Sequence, residues 1–174
     1  MEFVKLYVLH LRQCDPSKCT ALRLAKLKLI HLVSKLSDLP RGSVVLFPHP
    51  FVDVVLAPMD RELIISRGLS AIDCSWKKLH ELSIQVSKRG RLEYRALPLL
   101  IAGNPINYGK LSMLSTVEAL AAALYITGFK KQAVYLLSKF KWGETFLQLN
   151  KQLLEDYSKA ETRKQVLEVQ KLYL

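Results

Sequence analysis

The sequence predicts an α/β protein built on a mainly parallel sheet. Short apolar runs, such as residues 44–47, alternate with helical patterns over residues 3–102, which favours alternating strands and helices. These runs are apolar at nearly every position, as expected for parallel strands that are covered on both faces. After residue 114 only helical patterns follow, so we expect a helical C-terminal end.

The elements of the first half are predicted from periodicity and from the residues that interrupt it. Alternating apolar residues predict a strand at 3–9, and a turn follows around Pro16. Apolar residues at helical spacing predict a helix from Thr20 to Leu36, with Thr20 or Ser17 as its N-cap. The remaining predicted elements are strands at 44–47, 52–56, 63–66 and 70–73, and a helix at 76–87.

The second half contains one long loop between regular elements. A strand is predicted within 95–102, and the next helix, at 115–127, has a Ser115–Glu118 capping box and Gly128 just past its end. The loop between them is rich in Asn, Gly and Pro and is longer than a connection requires, so we expect it to hold binding groups. Its Asn residues and Tyr108 could instead brace the loop itself. Further helices are predicted at 130–139, 143–157 and 160–172.

Charge indicates the class of partner. The chain of 174 residues has a net charge of +11, which favours an anionic polymer such as nucleic acid. We expect two subdomains, residues 1–92 and 93–174. The first carries 15 Lys and Arg against 8 Asp and Glu, so it is the better candidate for contact with phosphates.

Other classes are disfavoured. No apolar run reaches the length of a membrane span, and the N-terminus lacks the pattern of a secretory signal. Three cysteines without a CxxC pair argue against a disulfide framework or a zinc ribbon, and for a reducing cytoplasm. The histidines have no metal-ligand spacing, so no metal is expected.

Five segments resemble the family of small-subunit (16S/18S) ribosomal RNA aminocarboxypropyltransferases. They are Cys14-Asp15-Pro16 with Cys19-Thr20, Asp73-Cys74-Ser75-Trp76, Leu97-Pro98 with Asn104 to Lys110, Leu114 to Ala119, and Phe140-Lys141-Trp142-Gly143. They occur in the family's order and span nearly the whole chain. Since the long acidic tail of eukaryotic members is lacking, the chain resembles a short, archaeal-type member.

The resemblance implies transfer of the 3-amino-3-carboxypropyl group of S-adenosylmethionine to N3 of an N1-methylpseudouridine in small-subunit ribosomal RNA during ribosome biogenesis. It implies a SPOUT-like deep trefoil knot in 93–174, which binds the cosubstrate, and a smaller α/β subdomain in 1–92, which faces RNA. The implied partners are ribosomal RNA and pre-ribosomal subunits. Composition predicts a cytoplasmic protein without membrane contact, and we expect a monomer because no apolar surface stripe demands a dimer. Two alternatives stay open: a knotted RNA methyltransferase and a non-catalytic RNA-binding assembly factor.

Asp73 and Trp76 are at the centre of the implied site. An indole face can cover the cosubstrate methyl group and attract the sulfonium, so Trp76 is the expected wall of the pocket. A core Trp is the alternative. Asp73 ends a predicted strand, where its carboxylate could act as a general base or orient the substrate. It could also cap the helix that begins at Trp76.

The resemblance also places five other residues near the cosubstrate: Thr20, Ile72, Leu97, Ser112 and Thr116. Leu97 would contribute main-chain groups along the adenine, and the others would lie near the nucleoside. Helix capping is the alternative for Thr20, and an ordinary position in the first helical turn is the alternative for Thr116. RNA contact is assigned to six basic residues: Lys18, Arg23, Lys26, Lys28, Arg61 and Arg67.

Overall fold

The computed structural model describes residues 3–12, 15–88 and 91–173 and places them in two compact units. The first unit comprises Met1–Asp53 and Glu62–Ala96, and the second comprises Val54–Arg61 and Leu97–Leu174. Cys14, which belongs to the first resembling segment, lies outside the described residues.

The first unit is built on a five-stranded sheet in which every neighbouring pair is parallel. Its strands are β1 (Leu6–His10), β2 (His31–Val33), β3 (Val44–Leu46), β4 (Leu69–Asp73) and β5 (Glu93–Arg95), in the spatial order β2-β1-β4-β3-β5. β1 and β4 pair along their whole length, from Leu6 with Leu69 to His10 with Asp73. The predicted α/β class with a parallel sheet is therefore confirmed.

Three helices accompany these strands: α1 (Thr20–Lys26), α2 (Arg61–Arg67) and α3 (Trp76–Lys88). Parallel strands cannot be joined by a tight turn, and α3 supplies the crossover from β4 to β5. The sheet and α3 share an apolar cluster that includes Leu9, Val45, Phe47 and Leu82. Burial of this cluster fixes the positions of the strand ends.

The first helix is shorter than predicted. It ends at Lys26, and Lys28 adopts the left-handed conformation with φ 61°. The Leu29 N–H donates to the Leu24 carbonyl at 3.0 Å, which is the long bond of a Schellman cap. A Gly usually occupies the position of Lys28, so the sequence carries no visible stop. The continuing leucine periodicity therefore predicted helix as far as Leu36, across what is in fact β2.

Three of the predicted strands are not found as predicted. Residues 63–66 lie inside α2 and not in a strand. Ile64 is fully buried whereas Ile65 is 52% exposed, so only one face of the helix packs against the core. Residues 52–56 have no place in the five-stranded sheet. The predicted strand at 95–102 is divided, because β5 ends at Arg95 and Ile101 pairs antiparallel with Leu111.

The second unit contains four helices at its C-terminal end, as predicted. They are α4 (Thr116–Ile126), α5 (Lys130–Leu137), α6 (Gly143–Ser158) and α7 (Arg163–Leu172). α4 is buried on nearly all sides, and Phe146 and Tyr157 of α6 are fully buried. Among the helices that the structure describes, none combines the length and apolar character needed to cross a membrane.

A partly buried ion pair joins the segment Val54–Arg61 to α7 within the second unit. Both guanidinium Nη atoms of Arg163, in α7, lie 2.7 Å from the Asp60 carboxylate, and Asp60 is 1% exposed. The Arg163 guanidinium also donates to the Val55 carbonyl at 2.7 Å. Such bidentate pairs combine charge with fixed geometry, which explains why this short segment belongs with the C-terminal helices.

Candidate functional site

The connections of the sheet diverge at the carboxyl ends of β1 and β4. From β1 the chain continues through α1 to β2 on one side, whereas from β4 it continues through α3 to β5 on the other side. In open parallel sheets, ligands bind in the crevice outside such a divergence. The two strands end at the paired residues His10 and Asp73, so this edge is the candidate site of the first unit.

Three side chains from separate elements meet at this edge. Asp73 Oδ2 accepts a hydrogen bond from Cys19 Sγ at 3.2 Å and lies 3.6 Å from His10 Nε2. Cys19 Sγ and His10 Nε2 are 3.5 Å apart. The side chains of His10 and Asp73 are 7% and 19% exposed. The carboxylate is thus held in position yet reachable from solvent, so it can accept a proton or pair with a cationic ligand.

The start of α3 bears on the alternatives for Asp73 and Trp76. At the start of α3, Ser75 Oγ accepts a hydrogen bond from the Lys78 N–H at 3.2 Å, which is the bond of a helix cap. Trp76 is the first residue of α3 and is 57% exposed, so it is not a core residue. An accessible indole therefore lies three residues after the positioned carboxylate.

Thr20 and Ile72 belong to the same edge of the sheet. Thr20 is the first residue of α1 and is buried, and the N-cap position belongs to Cys19, which makes no side-chain cap hydrogen bond. The predicted capping role of Thr20 or Ser17 is therefore wrong. Ile72 is the penultimate residue of β4 and precedes Asp73.

Cys74 is next to Asp73 but is a poor nucleophile. Burial and the negative charge of Asp73 raise the pKa of the Cys74 thiol to about 11, although Lys78 acts in the opposite direction. Since the thiolate is the reactive form, Cys74 stays protonated and unreactive near neutral pH. Cys74 is therefore not a candidate nucleophile at this edge.

Sequence reasoning missed the cluster of His10, Cys19 and Asp73. Their ligand atoms lie within 4.8 Å of one another, the one such group found among residues 3–12, 15–88 and 91–173. Imidazole, thiolate and carboxylate are all zinc ligands, so these residues are the ones that could hold a metal. Cys19 is 9 residues from His10 and 54 from Asp73, outside any local ligand motif. Only the prediction that β1 and β4 are neighbours could have found the group.

Leu97, Ser112 and Thr116 belong to the second unit. Leu97 precedes, and Ser112 closes, an antiparallel turn of residues 100–112, which we call the hairpin. The Ser112 N–H donates to the Leu100 carbonyl at 2.9 Å, and Ser112 has φ 58°. Thr116 is the first residue of α4 and follows the N-cap Ser115. The three predicted residues therefore flank the hairpin along one continuous stretch of chain.

The buried carboxylate of Glu118 holds the hairpin in place. Its Oε2 accepts from the Gly103 and Asn104 N–H groups at 2.7 and 3.2 Å. Its Oε1 accepts from Asn104 Nδ2 at 2.6 Å and from the N–H and Oγ of Ser115, each at 2.9 Å. Asn104 Oδ1 then accepts from the Asn107 N–H at 2.9 Å. Bracing of the loop is thereby confirmed for Asn104, whereas the sequence indicated Glu118 only as a member of a helix cap.

The six basic residues assigned to RNA lie in different places. Four are exposed in one segment around α1: Lys18, Arg23, Lys26 and Lys28. Arg67 is exposed at the end of α2. Arg61 belongs to the second unit, where its guanidinium donates to the Thr127 carbonyl at 3.0 Å and lies 4.3 Å from the centroid of the Phe129 ring. Arg61 thus has a structural role in addition to any contact with a ligand.

Two named proteins and one solved structure are similar to this chain over nearly its whole length. The protein named 16S rRNA aminocarboxypropyltransferase from Methanopyrus kandleri is 49% identical, with 97% of this chain and 98% of that protein covered. The protein of the same name from Methanothermobacter thermautotrophicus is 46% identical, with 98% and 99% covered. The solved structure of the SAM-dependent rRNA:acp-transferase Tsr3 from Vulcanisaeta distributa superposes with a TM-score of 0.83 at 39% identity and covers 97% of both chains.

Two family descriptions also match. "Ribosome biogenesis protein, C-terminal" matches residues 44–174, and "Possible Fer4-like domain in RNase L inhibitor, RLI" matches residues 4–36. A ferredoxin-type iron–sulfur cluster requires four cysteine ligands. The matched segment contains only Cys14 and Cys19, and the whole chain has 3 cysteines. The residues of this chain therefore do not fit such a cluster.

Proposed function

This chain belongs to the family of 16S rRNA aminocarboxypropyltransferases, and we propose that its substrate atom is N3 of an N1-methylpseudouridine in small-subunit ribosomal RNA. It is a transferase that uses S-adenosylmethionine. One observation carries this conclusion: the 49% identity, over 97% of the chain, to a protein of that name. The match to a ribosome biogenesis family over residues 44–174 agrees with it.

The reaction is a displacement at carbon. The N3 nitrogen of the base attacks the Cγ atom of the cosubstrate's amino acid arm, a C–N bond forms, and the bond from Cγ to sulfur breaks. The electron pair of that bond stays on sulfur, so methylthioadenosine leaves as a neutral thioether. N3 loses its proton to a base. Because the sulfonium is already a good leaving group, alignment of N3 with Cγ supplies much of the rate.

Asp73 is the residue of this chain that we assign to the chemistry. Its carboxylate either accepts the N3 proton or pairs with the cosubstrate ammonium, and both roles require a fixed, accessible anion. Cys19 and His10 support this assignment, because they contact Oδ2 at 3.2 and 3.6 Å and limit its movement. They act through Asp73 and are positioning residues.

Trp76 is assigned to the methyl group of the cosubstrate. A transferase of this kind has to cover the methyl and direct the longer arm toward the base, and an indole face can cover an apolar group beside a cation. The 57% exposure of Trp76 supports the proposal, since the ring has surface available for a ligand. The other proposed cosubstrate contacts are Thr20, Ile72, Leu97, Ser112 and Thr116.

RNA contact is assigned to basic residues within 1–92, and residues 93–174 are assigned to cosubstrate binding together with Thr20, Ile72 and Trp76. The exposed residues around α1 have the strongest support, because four cations lie within eleven consecutive positions: Lys18, Arg23, Lys26 and Lys28. Arg67 and Arg61 complete the proposed set. Neutralising phosphates there would release counterions and make binding depend on salt.

Further features of the proposal come from the family resemblance and from composition. We propose a SPOUT-like trefoil knot within residues 93–174, a monomer in the cytoplasm, and pre-ribosomal subunits as the physiological target. We also propose that transfer requires neither a metal nor a membrane. Dialysis against a chelator should therefore leave the rate of transfer unchanged.

Two labels distinguish the proposed reaction from its alternatives. The protein is incubated with small-subunit ribosomal RNA and S-adenosylmethionine that is labelled either in the methyl group or in the amino acid arm. Transfer predicts arm label in the RNA and methyl label in methylthioadenosine. A knotted methyltransferase would place methyl label in the RNA and release adenosylhomocysteine. A non-catalytic assembly factor would leave both labels in the cosubstrate. RNA that lacks the modified base is the matched control.

A further inference from the structure

The hairpin presents apolar side chains to solvent, two of them at its tip and Leu111 near its base. Tyr108 is 61% exposed, Ile106 is 66% exposed and Leu111 is 51% exposed. Single exposed apolar residues are common on proteins, but several on one short turn indicate an interaction site.

The hairpin is rigid although its tip is exposed. The Gly109 and Lys110 N–H groups donate to the Ala102 and Asn107 carbonyls at 2.8 and 3.0 Å, and the buried Glu118 fixes the base of the turn. Gly109 has φ 81°, a backbone conformation that residues with a side chain rarely adopt. An added Cβ there would meet nothing within 4 Å. A preorganised tip loses little entropy when a ligand binds.

Charge favours an anionic ligand at this surface. Between Glu93 and Glu118 the sequence has no acidic residue, and Lys110 is exposed two residues after Tyr108. An aromatic ring beside a cation suits a nucleic acid, because the ring can stack on a base while the cation meets a phosphate. A duplex hides its base faces, so the complementary ligand is an unpaired nucleotide.

We propose that Tyr108 is a stacking platform for an unpaired base of the RNA substrate, with Lys110 at the adjacent phosphate. This inference rests on the proposed function, since it assigns some of the RNA contact to the hairpin. The base of the hairpin carries Ser112, which is among the proposed cosubstrate residues. A nucleotide stacked at the tip would thus be held by the same rigid turn that contributes to the cosubstrate pocket.

Binding measured against salt concentration tests the proposal. The probes are an RNA stem-loop with unpaired uridines and a blunt RNA duplex of equal length, and the variants are Tyr108→Ala, Tyr108→Phe and Lys110→Gln. Tyr108→Ala should weaken binding of the stem-loop roughly 5- to 160-fold, the range for one base–aromatic stack, without changing the salt slope. Tyr108→Phe should keep the affinity. Lys110→Gln should reduce the slope by about 0.7 to 0.9, the value for one phosphate.

Tyr173→Ala is the matched control, because Tyr173 is also exposed, at 43%, in the second unit. Equal affinity of Tyr108→Ala and the wild type for the stem-loop, or an equal loss on the duplex, would overturn the proposal. The proposal would also be overturned if Tyr108→Ala changed only the self-association of the protein, because the tip would then be a contact between protein molecules. If the wild type neither binds nor modifies ribosomal RNA, the proposed function itself fails, which is a separate outcome.

Discussion

The side chains of His10 and Asp73 end adjacent parallel strands and lie 3.6 Å apart between Nε2 and Oδ2. The pair exists because β1 and β4 are neighbours in register, although the chain forms two further strands between them. Together with the Cys19 thiol at 3.2 Å from Oδ2, this arrangement gives the carboxylate one orientation at the edge where the ligand is expected. The first prediction concerns this carboxylate.

Asp73→Asn should lower the rate of aminocarboxypropyl transfer by about 100-fold or more, the usual contribution of a positioned acid–base group. The amide keeps the shape of the side chain and an oxygen that can accept from Cys19, but it lacks the negative charge. The rate is measured from methylthioadenosine release at saturating cosubstrate. Asp53→Asn is the control, since Asp53 is an exposed carboxylate of the same unit. Equal rates for the two variants would remove Asp73 from the chemistry.

Trp76→Ala should weaken S-adenosylmethionine binding about 2- to 30-fold, the range for loss of one cation–aromatic contact. Because the ring is 57% exposed, its removal should leave the melting temperature nearly unchanged. Titration calorimetry measures the affinity. Ile84→Ala provides the comparison, because Ile84 is 55% exposed on the same helix. An unchanged dissociation constant for Trp76→Ala would place the methyl group elsewhere.

Glu118→Gln should destabilise the protein by at least about 2 kcal/mol, since it places an NH₂ group where a carboxylate oxygen accepts from N–H donors. Oε2 accepts from the N–H groups of Gly103 and Asn104, and Oε1 accepts from Asn104 Nδ2 and the Ser115 N–H. In either orientation of the introduced amide, its NH₂ group would therefore face N–H donors. Urea unfolding measures the loss. Glu168→Gln, at an exposed position of α7, should change stability by less than about 0.5 kcal/mol. A loss no larger than that of the control would contradict the bracing role of Glu118.

Local signals made the helices of the second unit predictable. Ser115 and Glu118 form a capping box and Gly128 follows the helix, and α4 has nearly the predicted bounds. α1 was not predictable in length, because its cap has Lys28 rather than Gly in the left-handed conformation. The strand predicted at 63–66 failed because a short apolar run is compatible with both structures, and tertiary packing buried Ile64 in a helix.

The site was predictable to the extent that it follows from strand ends. Asp73 was identified because a predicted strand stops there, and its neighbour Trp76 because the family motif continues through it. His10 was not identified, since its contact with Asp73 depends on the order of strands in the sheet. A sequence gives the ends of strands more readily than their neighbours, and a partner 63 residues away leaves no local pattern.

Cys74 should react slowly with iodoacetamide at neutral pH and progressively faster as the pH rises toward 11. Burial and the charge of Asp73 raise the pKa of its thiol from 9.0 to about 11, and only the thiolate reacts. The folded state favours the neutral thiol. The midpoint of the curve of alkylation rate against pH should therefore lie at a higher pH for the folded protein than for the unfolded chain. Peptide mass spectrometry reports the modification at Cys74. In urea the midpoint should return toward 9, and an identical midpoint in the folded state would refute the assigned environment.

Reversing the charges of Arg23 and Lys26 to Glu should weaken binding of single-stranded ribosomal RNA and reduce the dependence of log affinity on log salt by about 0.7 for each lost phosphate contact. Cosubstrate affinity should not change, because both side chains are exposed on α1, whereas Asp73 and its partners are at its N-terminal end. The reversal of Lys164 and Lys171, exposed on α7, changes the net charge equally and separates local contact from overall charge. If both double variants reduce the salt slope to the same extent, the RNA responds to net charge alone and α1 is not its contact surface.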